Sequence, residues 1–234
     1  MERRLTDQTH RRGFLGRLAA ITAAGAAGFA PSRLVAQPET KEATTDPNTD
    51  WLSKVPGKHR QFFDMPNPSG GLPQIHILNY INAYREAHKA KPSDVKVVAS
   101  LYFMTTLLAF NDEMWAKYKF GEILKADDLT TKSPAVRNIF WKPREGSETL
   151  PVTGLIGVPN AASMTSLQEK GTLFLLCNNA YNFWVGQLAG ASGDKKAIRA
   201  ELDKNIVPGV VLVPAMVVAI NQAQQAGMSY IYQA

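Results

Sequence analysis

The stretch GTLFLLCNNAYNFW, residues 171–184, holds the single cysteine of the chain. Cys177 closes an apolar run and is followed at once by two asparagines and a helical pattern. A thiol at a helix start lies beside free amides and the positive end of the helix dipole. Both stabilise the thiolate, the nucleophilic form of sulfur. Asn178 and Asn179 add polar side chains that could help hold such a charge. Against this, no Lys, Arg or His stands between Cys177 and Lys195, and unpaired cysteines are among the most buried residue types. From these residues alone, a packed wall residue and a displayed thiol are both open.

Other residues suggest weaker chemistry. The turn NPSGG, beginning at Asn67, could turn backbone amides toward an anion, although a plain turn explains it as well. His76 near a helix start could serve as a base, but a surface histidine is the commoner case. Trp115, Trp141 and Trp184 could wall an apolar pocket, or simply pack. Asp112 and Glu113 read as a solvated helix face, and His88 as a residue at a helix C-terminus. One cysteine rules out an intramolecular disulfide and a cysteine-based zinc site. The histidines at 59, 76 and 88 lack metal-ligand spacing. Neither GxGxxG nor a P-loop is present, and no cofactor is expected.

Five short apolar runs with polar flanks read as buried parallel strands: 59–65, 95–103, 171–177, 209–214 and 229–233. Helical patterns lie between them, around 77–88, 110–120, 163–170, 182–190, 195–205 and from Pro214 to just before Gly227. Alternating strands and helices imply an α/β fold. The expectation is a single three-layer domain over residues 58–234 with a five-stranded, mainly parallel sheet. Ligands of such sheets bind beyond the carboxyl ends of the strands, which is where Cys177 falls. Residues 125–160 are long, proline-rich and irregular, and read as an insertion able to cover a site.

Residues 1–36 stand apart. Arg11 and Arg12, followed by Phe14, Leu15 and an Ala/Gly-rich stretch, resemble a bacterial twin-arginine export signal. That implies recognition by the export machinery through Arg11 and Arg12, passage in the folded state, and a periplasmic address. Cleavage is expected after Ala36, and residues 37–57 read as a flexible tether. The net charge of +6 arises mostly in this leader, which carries a surplus of +4. The rest shows no basic, aromatic-interleaved stripe that would point to nucleic acid.

The segments VKVVASLYFMTTLLAFNDEMWAKYKFG, GTLFLLCNNA and NIVPGVVLVPAMVVAINQAQQAGMSYI together resemble the DsrE-like sulfur-relay family, across most of residues 58–233. The leader is similar to that of its exported branch. The resemblance implies a flavodoxin-like fold, a cysteine that carries a persulfide, a sulfur donor or acceptor partner (a protein or a small thiol), and a homo-oligomer. Only Cys177 can correspond to the carrier, since it ends the third strand. Asn178, Asn179, Asn67 and Trp115 are the expected contacts of a bound substrate. The alternative is a non-catalytic binding or assembly module with Cys177 in the wall of a pocket beneath the 125–160 segment.

Overall fold

The five apolar runs form one sheet in which every strand pair is parallel. A computed structural model describes residues 50–154, 156–191 and 193–233. The leader, with Arg11, Arg12 and the expected cleavage site, lies outside the described residues, as does most of the tether. The strands are β1 (His59–Asp64), β2 (Val95–Leu101), a two-residue antiparallel pair β3 (Asp127–Asp128) and β4 (Ser133–Pro134), then β5 (Thr172–Cys177), β6 (Val211–Val213) and β7 (Ser229–Tyr232). The large sheet has the order β6-β5-β2-β1-β7. The helices are α1 (Leu72–Glu86), α2 (Asp112–Tyr118), α3 (Phe120–Leu124), α4 (Met164–Glu169), α5 (Asn178–Ala189), α6 (Lys195–Lys204) and α7 (Met216–Gln225).

This order decides which face each helix covers. From β1 to β2, β5 and β6 the chain steps steadily in one direction. It then returns across the whole sheet to place β7 beside β1. Parallel crossovers are right-handed, so reversing the step moves the connecting helix to the opposite face. The packing agrees. Phe63, Val97, Ala99, Leu101, Phe174 and Leu176 face a large core shared with the helices before β6. Their strand neighbours Phe62, Val98, Leu175 and Cys177 face a smaller one with Met216, Ala219 and Ala223 of α7. The fold is the expected three-layer α/β architecture, with one thick layer of helices and one thin one.

Element ends follow local chemistry. Gly71, at φ +82, caps α1 in a left-handed conformation with Pro73 in the first turn. Asp194 caps α6 by accepting from the amides of Lys196 and Ala197, at 2.8 and 3.0 Å. The helix after Cys177 begins at once, at Asn178, four residues earlier than its apolar pattern suggested. Helix α7 starts later than expected: Pro214 precedes the cap residue Ala215 and is not in the first turn.

Two expectations need correction. The last tether residues are not free of the domain: Asp50–Lys54 form a 3-10 turn, and Trp51 and Val55 are buried in the α7-side core. Nor is the 125–160 segment, irregular as expected, held over Cys177: its described residues pack into the domain. Ala135, Ile139, Phe140, Leu150, Val152 and Val158 are buried in the larger core. The Asn138 side-chain amide donates to the carbonyls of Leu108 and Phe110, at 2.9 and 2.8 Å. Gly70, at φ +60, lets the 65–71 turn approach this segment, since a Cβ there would stand 3.0 Å from the Gly154 Cα.

Candidate functional site

Cys177 is both the last residue of β5 and the N-cap of α5. Strand alternation sends its side chain to the thin face, where α7 begins. There the Met216 amide, the first of α7, donates to Cys177 Sγ at 3.3 Å. The sulfur therefore stands where two helices start, and one of their uncapped N–H groups is already aimed at it. The first amides of a helix have no carbonyl partner within it, which leaves this one free to meet the sulfur.

The thiol is 5% exposed, and the surface it retains faces a cavity of about 450 Å³. Pro66, Tyr102 and Phe103 form one wall, Asn179, Ala180 and Phe183 another, and Ala215, Met216 and Val217 a third. Phe103, Phe183 and Val217 are exposed and make an apolar rim. Phe103 holds its place at φ +54, a region that is costly for a bulky residue. Its carbonyl accepts from Trp184 Nε1 at 2.7 Å, which helps hold that conformation.

A buried polar cluster lies beside this cavity on the same face. Asp64, at the carboxyl end of β1, is 4% exposed. It accepts from Ser100 Oγ at 3.0 Å and from the Tyr230 hydroxyl at 2.7 Å. Tyr102 lies near enough to feel its charge. Burial first, and then the Asp64 charge, hold the Tyr102 phenol far above its ordinary range. The same causes push Tyr230 up to about 12. Both phenols are neutral at any physiological pH, and Tyr102 is also a residue of the cavity wall.

The sequence-derived candidates part company here. Cys177 and Asn179 share the cavity. Asn178 turns away: its Oδ1 accepts from Arg199 Nη1 at 3.0 Å. Arg199 also binds Asn182 and Asp203 and covers the Tyr181 ring at 3.9 Å, tying α5 to α6. Asn67 lines a different cavity of about 340 Å³, with Lys125, Phe140 and Thr153. The 125–160 segment therefore lines the Asn67 cavity, and none of its described residues lines the one at Cys177.

Trp115 is core, not wall: it is fully buried, and its indole N–H donates to the Leu107 carbonyl at 3.0 Å. His76 Nδ1 pairs with Gln233 Oε1. His59 stacks on Tyr84 at 4.3 Å, with His88 on the same ring. Among the described residues no group of three or more His, Cys, Asp or Glu could hold a metal. None of their helices is long and apolar enough to cross a membrane. Asp64, Ser100, Tyr102 and Tyr230 were missed as a site. The available signal was a polar residue at or next to the carboxyl end of two apolar strands, Asp64 in β1 and Ser100 in β2; Tyr230, second in β7, gave none.

Fold and cavity define a class: a three-layer, parallel α/β protein with a thiol in an apolar cavity at the carboxyl edge of its sheet. No family model matches the chain, and no curated protein does. A solved structure of a protein of unknown function, MTH1491 from Methanobacterium thermoautotrophicum, is similar at 14% identity and a TM-score of 0.39. The likeness covers 75% of this chain and 99% of that one.

Proposed function

We propose that this chain is an exported, DsrE-like sulfur-handling protein whose Cys177 thiolate accepts and carries sulfane sulfur. The observation that carries the reading is the Met216 N–H donated to Cys177 Sγ at the joined starts of α5 and α7, beside a cavity. In the reaction, the Cys177 thiolate attacks the outer sulfur of a donor persulfide, R–S–SH. A new S–S bond forms as the donor S–S bond breaks. The electron pair leaves on R–S⁻, and Cys177 becomes Cys–S–SH. No net oxidant is required. Asn179 is among the residues lining the cavity, which supports giving it the role of solvating the incoming sulfur.

The test is intact mass after incubation of the full chain with a persulfide donor. A gain of about 32 Da, one sulfur atom, that is lost in Cys177→Ser supports the reading. Absence of the adduct in the native protein, with thiol labelling only in denaturant, overturns it.

The burial of Cys177 and the apolar character of the cavity favour a second reading, a binding module in which the cysteine is a wall residue. In that case Cys177→Ser keeps ligand affinity while losing nothing catalytic.

A further inference from the structure

The wall of the Cys177 cavity carries no charge among its described residues. Its surface is almost wholly apolar, although Cys177, Asn179 and Tyr102 are among its lining residues. The Met216 N–H, the amide directed at the sulfur, is already used by Sγ. An anionic group brought next to the sulfur would find no countercharge among the described wall residues, with the Asp64 carboxylate nearby, and would give up part of its hydration against an apolar wall. An apolar group would instead meet Phe103, Phe183, Val217 and Pro66. A volume of about 450 Å³ suits a small molecule rather than a protein segment. The strained Phe103 places an aromatic ring at the mouth of this cavity.

We propose that the sulfur compound this cavity takes is a low-molecular-weight thiol or persulfide whose carbon group is uncharged and apolar, and that sulfur compounds with an anionic carbon group are excluded. The inference rests on the sulfur-handling reading of Cys177 and adds the substrate class.

The test uses two thiol reagents that share one leaving group, benzyl methanethiosulfonate and the anionic sulfonatoethyl methanethiosulfonate. In both, the Cys177 thiolate attacks the thioether-side sulfur. A disulfide forms, the S–SO₂ bond breaks, and methanesulfinate leaves with the electron pair. Rates on the native full chain are divided by the rates on a free cysteine ester, which removes intrinsic reactivity. The expected result is a normalised preference for the benzyl reagent of roughly 10- to 100-fold, the penalty for an uncompensated buried charge.

The exposed rim residue Val217 provides the second arm. Val217→Lys supplies the missing countercharge and should narrow the ratio by raising the anionic rate. Equal normalised rates in the parent chain, or a preference for the anion, overturn the inference even where Cys177 loads a persulfide. Failure of the sulfur-handling reading is a separate result: no mass gain from any persulfide donor while the benzyl preference stands.

Discussion

The amide of Met216 can be deleted with little disturbance of the fold. Ala215 has φ −150 and ψ 136, the extended region that a residue before proline requires. Met216 is the first residue of α7, where proline lacks only an N–H that no helical carbonyl would accept. Met216→Pro therefore removes the donor to Cys177 Sγ, and with it the buried Met side chain. Met216→Ala removes the side chain and keeps the donor, so the ratio of the two variants isolates the hydrogen bond. A hydrogen bond to a charged group contributes about 1.5–3 kcal/mol, and sulfur, a weak acceptor, belongs at the lower end. About 1.5 kcal/mol of lost stabilisation of the attacking sulfur is roughly tenfold in rate. The assay is the rate of Cys177 labelling by a neutral alkylating reagent at neutral pH, with circular dichroism confirming that both variants fold. The proline variant should react roughly tenfold more slowly than the alanine variant. Indistinguishable rates in two folded variants would refute the thiolate-binding role of the α7 start.

Two further outcomes follow from the packing and the phenols. Trp115→Ala should lower stability by about 3–5 kcal/mol in a denaturant titration, as for other large buried aromatics, and also orphan the Leu107 carbonyl. Labelling of Cys177 in the folded fraction should not change, and a specific loss of labelling would return Trp115 to the site. In an alkaline titration followed by phenolate absorbance, Tyr80, Tyr118 and Tyr230 should ionise near 12, each held up first by burial. Their folded values lie above the unfolded value near 10, so the native state retains protons that the unfolded state has lost. Stability from these groups is complete below about pH 10 and is lost as pH rises toward 12. Phenolate signal at pH 10 that is lost in the folded Tyr80→Phe, Tyr118→Phe or Tyr230→Phe variant would refute the shift of that residue.

The apolar runs and their spacing were enough to read five strands, the helices between them and a parallel α/β sheet, because burial on both faces writes a local signature of continuous hydrophobic residues. They also placed Cys177 at a strand end and a helix start, since both depend on neighbours in the chain. Face and partner were not legible. Whether Cys177 points to the thick or the thin layer depends on strand alternation set against a crossover that reverses between β6 and β7. The donor to its sulfur comes from Met216, 39 residues away. Asp64 and Tyr230 are 166 residues apart and meet only because β7 pairs with β1. Trp115 and Asn178 show the converse. Each is a residue type suited to a site, and each is drawn off by a local competitor, the Leu107 carbonyl and the Arg199 guanidinium. Residue types and periodicity determined the layers and the chemistry available at one strand end. The tertiary structure decided which groups share that space, because hydrogen bonds and charge act over a few ångströms regardless of separation along the chain.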